Sequence, residues 1–411
     1  MKTNRILFAA LLLLGASLSS QAQTVQANCI TTAVPFLLNT PDARGASLGF
    51  SGVATSPDAF SMFYNPAKYA FMANDHTMIA SGFNTFSSLV ADQYLLYDAF
   101  AQKMGNSTIA ATARYYSCGE MDYVDENNYH FGTYRPREFA VDVAYSYRFG
   151  EYFSAGLAGR FIHSNLISGY GNMVGVVYNA KSYSLAGDVS VYYKRPLGNL
   201  VDMSLGAAIT NIGTKMSYSS AEGYKDFIPT TLRIGSGFKF NFHPKNTMAV
   251  NLEFSKLMVP TPPIIARDDT GNPMYNDDGT YLIQYGMDDN VSVFRGMFQS
   301  FYDAPGYAYY SLGYQPGEYN YIGSFYEELC EVNTGIGIEY NLADHFFVRT
   351  GYYHAPALKG GMNSLTEGLG MKFGIFGMDL SYSLFMYKPW TDALNSQLVN
   401  GRLRWDMYFA F

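Results

Sequence analysis

The chain beats with a period of two. From Glu138 to Phe149, the residues Phe139, Val141, Val143, Tyr145, Tyr147 and Phe149 alternate with Glu138, Ala140, Asp142, Ala144, Ser146 and Arg148. The same alternation runs through 201–210, 231–242 and 378–386. Strict 180° alternation marks a strand with one apolar and one polar face. Several runs pass ten residues, where strands of soluble sheets cluster near five or six. Roughly ten alternating residues is what a tilted membrane-spanning strand requires. The pattern predicts fourteen strands, near 76–85, 92–104, 107–118, 138–149, 152–164, 182–195, 201–212, 230–242, 246–258, 328–341, 344–355, 364–376, 378–388 and 397–411. Gly82, Asn84 and Asp98 blur the alternation of the first two.

The joins sort by parity. After even-numbered strands they are tight, as at Gly105-Asn106, Gly150-Glu151, Leu342-Ala343 and Gly377. After odd-numbered strands most are long: 119–137, 165–181, 213–229 and, longest, 259–327. Outer-membrane barrels have short periplasmic turns and long extracellular loops. The predicted fold is therefore all-β, a 14-stranded antiparallel transmembrane β-barrel spanning 76–411. Its inward positions include Arg114, Asp142, Arg160, Asp188, Arg233, Glu253, Arg349, Lys372, Asp379 and Arg404, charges of both signs that are expected to pair. The last strand alternates Leu403, Trp405, Met407, Phe409 and Phe411 with polar residues, and such a Phe-terminated strand resembles the assembly signal of outer-membrane barrels.

Composition agrees with a barrel. Tyrosine supplies 36 of 411 residues and phenylalanine 30, while charged residues make up only 15%. Aromatic girdles at both membrane interfaces account for that excess. A net charge of −7 argues against nucleic acid as a partner.

Two segments precede the barrel. Lys2 and Arg5, the apolar run Ile6–Leu14 and the small residues up to Ala22 form a signal peptide, 1–22, with cleavage expected after Ala22. Residues 23–75 do not alternate and are dense in Pro and Gly, which punctuate a compact coil. A barrel this wide needs a plug, and this segment is the candidate hatch.

A fourteen-strand barrel with a hatch carrying Asn65, Pro66 and Ala67 resembles the FadL-like outer-membrane proteins. Three longer stretches are more specific: Pro35-Phe36-Leu37 with Pro41–Gly45, Gly52–Ala59 leading to Asn65–Phe71, and Gly296–Gly306. Together they resemble the PorV (LptO) family of the type IX secretion system. The resemblance implies a non-enzymatic outer-membrane carrier. Such a carrier takes cargo from the translocon barrel (SprA/Sov-like) by holding its C-terminal signal domain. It then delivers the cargo to the surface attachment complex of PorU, PorQ and PorZ, within the lipid and lipopolysaccharide of the outer membrane. The alternative is a FadL-like transporter of hydrophobic small molecules. Within loop 259–327 the candidate partner-binding residues are Tyr275, Tyr281, Tyr309, Tyr310 and Phe325, because tyrosine gives large contact area at low entropic cost.

Catalytic, cofactor and metal sites are not expected. The six histidines lack ligand spacing, and no nucleophile elbow occurs. Asp268–Asn272 and Asn276–Gly279 read as two turns, with a calcium site as the alternative. Cys29, Cys118 and Cys330 are odd in number, and their pairing cannot be deduced.

Overall fold

The computed structural model describes residues 25–26, 28–73, 76–85, 92–124, 130–166, 181–218, 225–310, 319–387 and 398–411. The expected signal peptide lies outside them. Fourteen strands close into one antiparallel barrel. They are β1 (Thr77–Thr85), β2 (Gln93–Met104), β3 (Ser107–Cys118), β4 (Arg137–Phe149), β5 (Phe153–Asn165), β6 (Lys181–Leu197) and β7 (Val201–Gly213). The second half comprises β8 (Thr231–His243), β9 (Asn246–Leu257), β10 (Asn333–Leu342), β11 (Phe346–His354), β12 (Asn363–Phe373), β13 (Phe376–Tyr387) and β14 (Leu398–Ala410). Each strand pairs with its sequence neighbours, and β14 pairs with β1 from Met78↔Ala410 to Asn84↔Arg404. Closure leaves no open edge, so every backbone group finds a partner between strands.

Alternation becomes inside and outside. On β4, Val141, Val143, Tyr145, Tyr147 and Phe149 are exposed outward, while Glu138, Ala140, Asp142, Ala144 and Ser146 are buried within. Among the described residues no helix is long and apolar enough to cross a membrane. The strands cross instead.

The short joins lie together at one end. Gly105 (φ +60°) and the pair Ala343 and Asp344 (φ 59° and 58°) supply the left-handed backbone that tight hairpins need. The long joins at the other end carry structure of their own. Residues 121–124 pair with 130–134, and the longest join holds helices α3 (Val293–Gln299) and α4 (Ser324–Leu329).

Two boundaries differ from the sequence pattern by more than two residues. The join expected at Gly377 lies at Gly374-Ile375, where Gly374 takes the left-handed backbone, and Gly377 sits inside β13 opposite Lys372. Alternation puts the start of the tenth strand at 328, but the strand begins at Asn333, because Glu327 and Glu328 belong to α4 and are buried as ion-pair partners. Carboxylates that serve such a cluster cannot alternate on a barrel wall.

The N-terminal segment runs inside the barrel. It forms a 3₁₀ turn at Pro35–Leu38, helix α1 (Ala43–Ser47), helix α2 (Ser61–Tyr64) and a second 3₁₀ turn at Pro66–Phe71. Phe36 and Leu37 are buried with Leu95, Ala140, Ile162, Met216 and Ile228. Met62 and Tyr69 pack with Ala101, Ala110 and Ala144. Small inward residues on the wall make room for large ones on the segment.

Candidate functional site

Two regions concentrate polar chemistry: the lumen and the cap over the long-loop end.

In the lumen, Arg44 of α1 is the hub. Its Nε and Nη2 donate to the Glu339 carboxylate at 2.9 and 3.0 Å, and its Nη1 donates to Asp58 Oδ2 at 3.0 Å. Glu339 also accepts from Arg349 Nε at 2.7 Å, and Arg349 Nη1 donates to Asp379 at 2.6 Å. A second chain joins Arg114 to Asp142 at 2.9 Å, then Asp142 to Arg160, and Arg160 to Asp188 at 3.0 Å. In a third cluster, Glu253 accepts the Gly52 and Val53 amides at 2.7 and 2.8 Å while Arg233 donates to it at 2.8 Å. The expected pairing of inward charges is thus observed. The exceptions are Lys372, half-buried and without an ion pair among the described residues, and Arg404, which donates to Ser383 Oγ at 3.0 Å and stacks over Phe50. Buried ion pairs of this geometry hold parts in register more than they add stability.

Asn65, Pro66 and Ala67 dock the segment on one wall. Asn65 Nδ2 donates to Val53 O and Val191 O at 2.9 and 3.0 Å, and its Oδ1 accepts the Ala67 amide. Ser146 and Ser154 donate to Pro66 O and Ala67 O, both at 2.7 Å. Gly156 permits the approach, since a Cβ there would lie 2.6 Å from Ala67 N. On other walls Asp406 accepts the Ala43 amide at 2.6 Å, and Lys103 Nζ donates to Ala70 O and Met72 O. Beneath the segment, at the short-turn end, a cavity of about 270 Å³ is lined by Arg44, Lys194, Lys239, Glu339 and Lys372.

In the cap, two lysines hold three acids. Lys359 Nζ lies 2.6 Å from Glu327 and 2.8 Å from Glu331, and also donates to Asn28 O at 3.0 Å. Lys256 pairs with Glu328 at 3.1 Å and with Glu331. Glu328 and Glu327 accept the amides of Ala304 and Gly306 at 2.9 and 2.6 Å, and Asp303 accepts the Thr261 amide at 3.2 Å. Burial, with Glu328 and Glu331 nearby, pushes the Asp303 carboxyl up to about 7. Burial also opposes the charge on Glu331, but Lys359 and Lys256 outweigh it and hold that carboxyl below its ordinary value.

The outer side of the cap is inverted relative to an ordinary protein surface. Helix α4 buries Glu327 and Glu328 and exposes Phe325 (78%), Tyr326 and Leu329. Helix α3 presents Phe294 and Phe298, one turn apart and both exposed, and seats Gly296 against Phe227. Phe301, Tyr302 and Tyr321 are exposed as well. Large apolar side chains exposed in this number mark interaction surfaces.

Of the residues singled out from sequence, Phe325 stands in this patch. Tyr275 and Tyr281 are exposed on a separate hairpin, stacked on each other at 5.0 Å. Tyr309 and Tyr310 lie on a short strand, 307–310, that pairs with 319–321 and with Val25–Gln26. Sequence reasoning missed Phe294 and Phe298, although their i, i+4 spacing was visible. Asp268 and Asp278 close turns, each accepting from the threonine two residues on. Among the described residues Cys29, Cys118 and Cys330 form no disulfide.

Residues 21–264, more than half of the chain, match the family described as type IX secretion system protein PorV. The chain belongs to the PorV family. A PorV-family barrel is an outer-membrane protein of type IX secretion, so the short-turn end is periplasmic and the cap extracellular. Nothing among curated proteins matches the sequence. Solved structures similar to this PorV-family chain include the Pseudomonas putida toluene transporter TodX, with 11% identity, TM-score 0.47, and coverage of 95% of this chain and 99% of that one. The Ralstonia pickettii toluene transporter TbuX gives 12%, 0.45, 91% and 98%. A Pseudomonas aeruginosa FadL homologue gives 9%, 0.43, 93% and 98%.

Proposed function

We propose that this protein is a non-enzymatic carrier that holds the C-terminal signal domain of secreted cargo on its extracellular cap. In this reading it receives cargo at the translocon barrel and passes it to an attachment complex of PorU, PorQ and PorZ. The observation that carries the reading is the inverted cap, with its acids buried and its aromatics presented to solvent. Interface energy concentrates in a few buried aromatic anchors, each worth about 2 kcal/mol or more. The chain then divides into an export signal, 1–22, a hatch, 23–75, and the barrel. The hatch seals rather than conducts, since Arg44 pairs with Glu339 of the wall and Glu253 of the wall accepts the Gly52 amide. A path for hydrophobic small molecules finds little support in a lumen lined by paired charges.

The test substitutes serine for Phe294, Phe298 and Phe325 in one variant, and for Tyr275, Tyr281, Tyr309 and Tyr310 in another. Co-purification of cargo bearing its signal domain should fall sharply with the phenylalanines and less with the tyrosines. Undiminished capture by both variants, with loss on Arg114→Gln plus Arg233→Gln, would shift the function to the lumen.

A further inference from the structure

The outward face of the barrel is apolar almost throughout. Among the described residues only Asp98 on β2 and Glu367 on β12 set a charged side chain at mid-strand on that face. Asp98 is flanked along its strand by exposed Leu96 and Phe100, and across the ladder by Ser81 of β1 and Ala113 of β3. It lines a groove of about 490 Å³ over β14, β1, β2, β3 and β4, rimmed by Ile79, Phe100, Val141 and Phe409. The β1–β2 and β2–β3 ladders run unbroken past it, so the groove is a dent in the wall and not an opening through it. Among the described residues nothing hydrogen-bonds or ion-pairs with the Asp98 carboxylate.

Depth makes that carboxylate informative. Both acids stand six residues from the periplasmic end of their strands. At roughly 3.3 Å per residue and a tilt of roughly 40°, that is about 15 Å up, the middle of an apolar band about 25 Å tall. Lipid headgroups are out of reach, and an aspartate is too short to snorkel as lysine and arginine do. Acyl chains offer no donor. A symmetric contact with a second copy of the groove would bring two Asp98 side chains together, like charge against like.

We propose that the wall around this groove is a docking surface for the membrane-embedded wall of a different protein. That protein presents an arginine, a lysine or a hydroxyl donor to Asp98 at mid-membrane depth. The groove receives the partner's lipid-facing side chains. This surface is separate from the cap and does not depend on cargo binding.

The test uses the full chain in native outer membranes, with a benzoyl-phenylalanine photoprobe at Ala113 or, on the far wall, at Phe254. Illumination should yield a protein adduct from Ala113 and none from Phe254. Asp98→Leu should cut the adduct roughly threefold or more, the scale of removing one hydrogen bond between proteins inside a membrane. The same variant should keep heat-modifiable mobility and resist urea better in pure lipid vesicles, because its lipid face no longer carries that charge. Asp98→Asn, which still hydrogen-bonds, should retain part of the yield and guards against a folding artefact in the leucine variant. An adduct of only twice this chain's mass would overturn the proposal in favour of a second copy. Lipid adducts alone, equal yields from both probe positions, no adduct, or a protein adduct indifferent to both substitutions would overturn it in favour of a tolerated charge.

Discussion

The lumen and the cap solve the same problem with different cations. In each, buried carboxylates tie a non-barrel segment to the wall. Among the described residues every lumen ion pair uses arginine, at Arg44, Arg114, Arg160, Arg233 and Arg349. Every ion pair of the cap cluster uses lysine, at Lys256 and Lys359. Guanidinium is planar, permanently charged and able to bridge two carboxylates in fixed geometry; ammonium is a point charge on a flexible stem. The lumen is built to stay closed. The cap, with three acids paired to two lysines and Asp303 beside them, is held by adjustable contacts and responds to proton activity.

The harshest way to break the comparison removes the frame that both regions share. Deleting Trp405–Phe411 takes away most of the β14 ladder to β1, together with the Asp406 acceptor for the Ala43 amide. Such a chain should fail to close, and the heat-modifiable shift on a denaturing gel should vanish. A truncated protein that still shifts would mean that closure does not rest on β14.

Next comes the lumen alone. Glu253→Ala strips the acceptor from Gly52, Val53 and Arg233 and leaves the guanidinium buried. Removing one partner of a buried pair costs about 3–5 kcal/mol. Protease cleavage within 40–60 and solute flux into proteoliposomes should both rise, while the exposed aromatics of the cap stay in place. A milder probe is Gly156→Val, which drives a side chain into Ala67 and should cost about 1–3 kcal/mol by overpacking. The same two readouts should move less. If neither variant loosens the segment, the lumen contacts are not what holds it.

Much of this architecture was legible in the chain, and the reason is locality. Alternation belongs to each strand by itself, so Ser107–Cys118 could be placed to the residue from its own twelve positions. Turn parity added the topology. The pairing of inward charges followed from physics without revealing who pairs with whom. Arg44 with Glu339, or the Ala43 amide with Asp406, joins residues some three hundred or more positions apart, and no local signal connects them. The start of the tenth strand was misplaced for the same reason. Glu328 to Glu331 read as the first residues of a strand, but Lys256 and Lys359 pair with these acids at the end of a helix. The cap aromatics were within reach of sequence reading at Phe294 and Phe298, and tyrosine abundance drew attention away from them.

The smallest effect is the sharpest on the difference between the regions. Asp303 titrates near 7 in the folded cap, against an ordinary value of 3.8, because burial and then Glu328 and Glu331 disfavour its charge. A carboxyl raised on folding keeps its proton where the open loop would release it. Cap stability should therefore decline as pH climbs from about 4 to about 7 and level off above. Glu331 acts in the opposite sense: its depressed value adds stability above its ordinary 4.5, lost as pH falls through the folded value. The native cap should accordingly be tightest in mildly acidic solution. Asp303→Asn keeps an acceptor for the Thr261 amide and removes the titration. Hydrogen exchange at Thr261, Ala304 and Gly306, corrected for intrinsic rates, should show native protection falling between pH 5 and pH 8. In the variant it should stay flat, and the amides of Gly52 and Val53 in the lumen should show no such slope in either protein. An equal slope in native and variant caps would remove Asp303 as the source, and a matching slope at Gly52 would erase the distinction between an arginine-held lumen and a lysine-held cap.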